Sequence, residues 1–361
     1  MLIILGSIVI CLIIACFILI PPSRGKMPSF VDERGNVLEG SISEKVFLDV
    51  NDTTFGMILA AKDETKPVLL FLSGGPGIPE YFLEKEYPTG LEKEFVVCYL
   101  EYRGTSLSYD SKTDPSTMTT QQYIQDVVAV TKYLCNRFGQ EKIYLMAHSF
   151  GTYIGLNTVS AHPELYHSYI AISQMTNQHE SEILAYDYML EQYKQSGNKK
   201  KLRQFESYPI KESNEAYETY ITSMLRDSSM HELGVGTTRK MNSVITGIVL
   251  PSLRYTVYSP MERINIYRGK MFAQKTQVAH DAWNFDTFSE IKEIKIPVYF
   301  LAGKYDYTCC YSLQKEYFKQ LQAPVKGFYT FENSAHSPLF EEPEKGMKIL
   351  CEDVKNGTVH N

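Results

Sequence analysis

Three residues, in the order Ser149, Asp306, His336, could together cleave an acyl bond. A serine hydroxyl attacks well only when a base takes its proton. An imidazole does this in one tautomer, and a carboxylate on its far nitrogen holds that tautomer. Ser149 lies in Ala147-His148-Ser149-Phe150-Gly151, between the apolar run Ile143-Tyr144-Leu145-Met146 and small residues at helical spacing, Thr152, Gly155 and Thr158. This predicts a strand, a sharp turn and a helix: the G-x-S-x-G elbow, whose positions two before and two after the serine must be nearly free of side chain. Alanine stands at the first of them and keeps most of the room. Asp306 closes Gly303-Lys304-Tyr305-Asp306 and His336 stands in Ser334-Ala335-His336-Ser337, each just past an apolar run. In a parallel sheet such positions meet at the carboxyl edge, where the sites of open α/β sheets form.

Acyl transfer also needs donors for a developing oxyanion. The backbone N–H of Phe150 is the first candidate. Gly75, in the loop Ser73-Gly74-Gly75-Pro76-Gly77, is the second, because glycine lets main chain approach a substrate closely. His148 adjoins the nucleophile but is read as pointing elsewhere along the turn. The other histidines are read as surface or packing residues.

The elements that must position these groups follow from apolar patterning. Ser43 to Val50 and Phe55 to Ala61 alternate as an antiparallel edge pair around Asn51-Asp52. Pro67–Leu72, Phe95–Leu100, Tyr169–Ile172, Pro297–Ala302 and Phe328–Phe331 read as further strands, with an amphipathic helix from Thr119 to Phe138. Strands separated by helical patterns imply a mostly parallel α/β sheet flanked by helices. The core is expected over 42–173 and 289–355, interrupted over 174–288 by a helical cap rich in Tyr, Met, Glu and Lys.

Composition excludes several classes. A net charge of −6 and no dense Lys/Arg stripe argue against nucleic acid. Neither G-x-G-x-x-G nor G-x-x-x-x-G-K-[ST] occurs, so nucleotide phosphates have no cradle. Beyond the first apolar segment the cysteines are Cys98, Cys135, Cys309, Cys310 and Cys351, an odd set without C-x-x-C spacing. Neither a zinc site nor a disulfide framework is indicated, and no metal or organic cofactor is expected.

Residues 1–20 carry no charged side chain and end at Pro21-Pro22. At about 1.5 Å per residue a helix of this length just spans a bilayer core of about 30 Å. The sequence thus predicts a single-pass anchor with the membrane as partner, then a linker over 21–41. Ile13-Ile14-Ala15-Cys16 is similar to a lipoprotein cleavage box, which makes lipidation at Cys16 the lesser alternative. Arg24, Lys26 and Arg34 follow the span and nothing basic precedes it, a lean toward a cytoplasmic catalytic domain.

Taken together, Ser73-Gly74-Gly75-Pro76-Gly77, the segment Glu101-Tyr102-Arg103-Gly104-Thr105-Ser106-Leu107-Ser108, the elbow, and the Asp306 and His336 motifs resemble an α/β-hydrolase of the prolyl iminopeptidase-like group over roughly residues 42 to 350. The resemblance implies a serine hydrolase working through an acyl-enzyme, with an inserted helical cap, acting on short peptides with a free N-terminus. A carboxylesterase on small acyl esters is the alternative; a hydrolase-fold small-molecule sensor with little turnover is a third reading. The chain departs from the group's pattern: Ser73 replaces a histidine, Glu101 an aspartate and Ser106 a glycine, and Trp283 is the only tryptophan where the cap should carry a tryptophan-glutamate pattern. Cap carboxylates would have to hold the substrate ammonium. Glu180, Glu182, Asp187 and Glu191 lie on the first cap segment without assignment to the site, and Tyr186, Tyr188 and Met189 are expected to pack.

Overall fold

The computed structural model describes residues 18–360. Its centre is an eight-stranded sheet of order β1-β2-β4-β3-β5-β6-β7-β8 among the described residues. The strands are β1 (Ile42–Val50), β2 (Thr53–Ala61), β3 (Val68–Leu72), β4 (Val96–Leu100), β5 (Ile143–His148), β6 (Tyr166–Ile172), β7 (Val298–Gly303) and β8 (Lys326–Phe331). The β1–β2 and β2–β4 pairs are antiparallel, and every later pair is parallel. The alternating edge pair and the continuous apolar runs thus form the elements their patterns predict: β3 and β4 expose no residue, while β1 is partly exposed along its length.

The two faces of the sheet carry separate cores, as a period of two requires. Leu70, Cys98, Leu145 and Ala147 pack with helices α2 (Thr120–Phe138) and α3 (Phe150–Ala161), whereas Leu69, Val97, Tyr99 and Met146 pack on the side of α1 (Tyr81–Glu86). Helix α2 starts where Thr119 accepts from the Gln122 N–H and stops at Gly139, at φ 63°. These are the cap and the left-handed stop that the sequence offers.

Between β6 and β7 run α4 (Gln178–Gln195), α5 (Lys199–Glu206), α6 (Asn214–Ile221), α7 (Met224–Glu232), α8 (Leu250–Arg254), α9 (Pro260–Ala273), α10 (Gln277–Asn284) and α11 (Thr287–Glu290). This stretch divides in two. Its first half has its own core, built on Tyr186, Met189, Tyr193, Phe205, Tyr217 and Tyr220. Its second half joins the body: Val257 and Tyr258 pack in one sheet-face core, and Ala273, Val278 and Ala282 in the other. The chain closes through α12 (Tyr311–Gln320), α13 (Pro338–Glu341) and α14 (Pro343–Ile349).

The membrane expectation is corrected. Residues 1–17 of the expected anchor, with Cys16, lie outside the described residues, and among the described residues no helix is long and apolar enough to cross a membrane. The anchor, the membrane partner and the lean in orientation drawn from them are therefore not retained. The stretch read as a linker, 21–41, is fastened to the body. The Arg263 guanidinium donates to the Pro21 carbonyl, Ser43 Oγ donates to the Pro28 carbonyl at 2.6 Å, and Met27 and Phe30 pack against the sheet-face core.

Candidate active site

Strand β5 ends at His148, and Ser149 follows with φ 54° and ψ −124° before α3 begins at Phe150. A side chain is rarely found in that conformation, which persists only where the surroundings impose it. The neighbours do so. A Cβ on Gly151 would stand 2.2 Å from the Leu72 carbonyl oxygen, so β3 and the turn touch main chain to main chain. The alanine at position 147 is accommodated from the opposite side: a Cβ on Gly155 would lie 3.1 Å from the Ala147 Cβ. The room that the usual first glycine leaves is supplied by Gly155.

The three sequence-predicted residues are brought together. His336, in the loop after β8, places Nε2 2.8 Å from Ser149 Oγ. Its Nδ1 lies 3.1 Å from each Asp306 carboxylate oxygen, in the loop after β7. Asp306 is fully buried. Oδ1 accepts from the Thr308 and Cys309 N–H groups at 2.9 Å, and Oδ2 from Gln314 Nε2 at 3.1 Å. With only acceptors facing Nδ1, the proton belongs there and Nε2 turns its lone pair to the serine hydroxyl. That is the protonation pattern of a general base.

Phe150, Gly75 and Ser149 line one cavity of about 780 Å³ between the elbow and the inserted helices. The Gly74 N–H is engaged by Glu80 Oε1 at 2.7 Å, and its neighbour Gly75 lies at the cavity wall. Gly75 has φ +124°, and a Cβ there would meet the Gly77 nitrogen at 2.6 Å. Only glycine fits the position. Cys309 also lines the cavity, but burial pushes its thiol well above the ordinary range and the nearby Asp306 charge adds to this, so it is no rival nucleophile.

Of the four acids noted on the first inserted segment, Glu182 alone lines the cavity, and it is paired. The Arg226 guanidinium engages both its oxygens, with Nε to Oε2 at 2.7 Å, and Gln178 Nε2 donates to Oε1 at 3.1 Å. Asp187 pairs with Lys211 at 2.6 Å, and Glu180 and Glu191 are exposed. Tyr186 and Met189 pack in the core of the insertion, and Tyr188 stacks on Tyr307. Glu218, on α6, is a second carboxylate at the cavity wall.

One departure from the group's motifs, Glu101, is structural in its contacts, as is the neighbouring Arg103. Glu101 accepts from Tyr258 Oη and from the Leu107 N–H, both at 2.6 Å, and burial pushes its carboxyl up to about 7. Arg103 forms a buried pair with Asp126 at 2.8 Å. Both brace the loop after β4. Reading the sequence missed the surroundings of His148, whose ring lies 4.9 Å from that of His336 and bonds Glu80. No motif marks Glu80. Its position three residues after Gly77 is the only signal, and that spacing alone has no chemical meaning.

Residues 67–343 match the alpha/beta hydrolase fold family, and the chain belongs to it. The probable aminopeptidase YbaC of Bacillus subtilis is 29% identical over 313 residues, covering 86% of this chain and 95% of the relative. A proline iminopeptidase of Mycobacterium smegmatis superposes with a TM-score of 0.61 at 13% identity, covering 87% of this chain and 98% of that one. An esterase of Exiguobacterium antarcticum superposes with a TM-score of 0.51 at 14% identity over 86% and 100%. Peptidase and esterase thus share this architecture, and the fold defines a hydrolase without choosing its substrate.

Proposed function

We propose that the protein is a serine aminopeptidase acting on short peptides, with Ser149 as nucleophile, His336 as base and acid, and Asp306 as the group that orients His336. The observation that carries this reading is the unbroken hydrogen-bond chain from Ser149 Oγ through His336 to buried Asp306 at the wall of the cavity. His336 Nε2 takes the Ser149 proton as Oγ bonds to the substrate carbonyl carbon, and the carbonyl oxygen, now an anion, lies against the Phe150 and Gly75 N–H groups. The imidazolium returns the proton to the departing amine as the C–N bond breaks. Water, deprotonated by His336, then adds to the acyl-enzyme and releases the acid and Ser149.

The homology to a probable aminopeptidase supports the substrate class, and Glu218 and Glu182, both at the cavity wall, are the carboxylates that would meet a substrate ammonium. One observation favours carboxylic esters as a second reading: Arg226 already occupies both oxygens of Glu182, so that acid is offset before substrate arrives. Incubation with amino-acyl anilides and with short acyl esters separates the two. Anilide cleavage that a fluorophosphonate on Ser149 abolishes is the expected result. Ester turnover without anilide cleavage would overturn the peptidase reading, and an unlabelled Ser149 would overturn the serine mechanism.

A further inference from the structure

Beside the Ser149 base lies a second histidine–carboxylate pair that the proposed chemistry leaves unused. His148 Nδ1 stands 2.8 Å from Glu80 Oε1, and His148 Nε2 stands 2.7 Å from the backbone carbonyl of His336. With Glu80 ionised both partners are acceptors, so both ring nitrogens donate, and the ring that satisfies them is the imidazolium. Glu80 Oε1 also accepts from the Gly74 N–H at 2.7 Å. One buried pair therefore ties together three loops: the elbow after β5, the loop that carries the base, and the loop that carries the Gly75 donor.

We infer that Glu80 and His148 are positioning residues, an ion pair that holds the main chain of His336 and of Gly74 in register with Ser149. This rests on the Ser149 mechanism proposed above. The linkage has two arms. Through Nε2, His148 anchors the carbonyl of the residue that must present its own Nε2 to Ser149, with Ser173 Oγ donating to the same carbonyl at 2.9 Å. Through Glu80, the pair fixes the peptide next to Gly75. A neutral His148 can satisfy only one arm. If the Nδ1 proton stays on Glu80, the Nε2 lone pair is set against the His336 carbonyl oxygen, and the base loop must move away. The pair carries no net charge, so it does not oppose the imidazolium that forms on His336 during catalysis.

The groups facing His148 are Glu80 from the turn before α1, Asp306 after β7 and His336 after β8. Tyr102, whose hydroxyl donates to the Ser73 carbonyl, stands beside Glu80. Burial works to lower the His148 pKa. The Glu80 charge and hydrogen bond, the His336 carbonyl and the Asp306 charge outweigh it, so the imidazole titrates above its ordinary value. The reactive geometry should accordingly fail on the alkaline side, where His148 loses its proton.

The test is the pH dependence of fluorophosphonate labelling of Ser149, which reports activation of the nucleophile whatever the natural substrate. In the unaltered protein the rate constant should fall on the alkaline side, as His148 loses its proton. In Glu80→Gln the amide can still accept from Gly74, but the charge is gone, and the alkaline fall should move to lower pH by about one pH unit or more. His148→Gln, whose amide donates to the His336 carbonyl without titrating, should label more slowly and show no alkaline fall below about pH 10. An alkaline fall unmoved in Glu80→Gln, or persisting in His148→Gln, would overturn the inference even where both variants are less stable. Absence of labelling in the unaltered protein would overturn the serine mechanism instead.

Discussion

His336–Asp306 and His148–Glu80 are the same chemical pair built twice, with ring centroids 4.9 Å apart. Burial does not tell them apart: the two histidines are 7% and 6% exposed, and the carboxylates 0% and 4%. The difference lies in what faces the second ring nitrogen. For His336 it is a hydroxyl, which can give up a proton, at a cavity wall; for His148 it is a carbonyl, which can only accept. An imidazole opposite a hydroxyl is a base, and one opposite a carbonyl is a clamp. Reactivity in this site is thus assigned by the far-side partner, a feature of the assembled loops that residue type does not encode.

The largest effect should follow removal of the imidazole that faces Ser149. His336→Ala should lower kcat by about 10⁶-fold, since the triad works as a unit, and Asp306→Asn by about 10⁴-fold through loss of the tautomer. His148→Ala, in contrast, should cost up to about 10²-fold, the effect of a small misplacement, because the base is still present. Steady-state kinetics on whichever substrate class is turned over gives all three. A His148→Ala loss equal to that of His336→Ala would erase the distinction between base and clamp.

The His148–Glu80 pair should also show in stability. The folded protein holds the His148 proton more tightly than an unfolded chain does. The pair's contribution is then fully present below the ordinary histidine value of about 6.5 and is lost as pH rises through the higher folded value. Glu80→Gln leaves an imidazolium buried without its partner, which should cost about 3–5 kcal/mol near pH 6, with the difference from the unaltered protein shrinking on the alkaline side. Denaturant unfolding of both proteins across that range measures it. A difference that grew with pH would mean that His148 is buried neutral.

The convergence of Ser149, Asp306 and His336 was legible in the sequence because each follows a buried apolar run, and strand ends in a parallel sheet converge whatever lies between them. The clamp was not, because Glu80 belongs to no periodic element: it precedes the first turn of α1, at φ −108°. Strand ends were legible to within a few residues. Lys326 and Gly327 join β8 because Val298 and Tyr299 pair with them, against the weak strand preference of both types. The division of the insertion was hidden for a related reason. Tyr258 or Val278 reads as apolar in sequence, but nothing in its spacing says whether it meets its own helices or the sheet.

The smallest effect tests the floor that both pairs stand on. Ala147 immediately precedes His148 and fills space that a Cβ on Gly155 would approach to 3.1 Å. Ala147→Gly should therefore keep the labelling rate of Ser149 within about twofold while losing about 0.5–1 kcal/mol of stability, the cost of glycine in a strand interior. Gly155→Ala is the harsher partner, because its new methyl also meets the Tyr169 ring at 2.9 Å, and it should slow labelling by shifting the elbow. Combining the two removes the contact with position 147 but not the contact with Tyr169. The double variant should thus recover part of the loss, a coupling of about 0.5–3 kcal/mol between the sites. Strict additivity would mean that Ala147 owes its place in the elbow to something other than the glycine across from it.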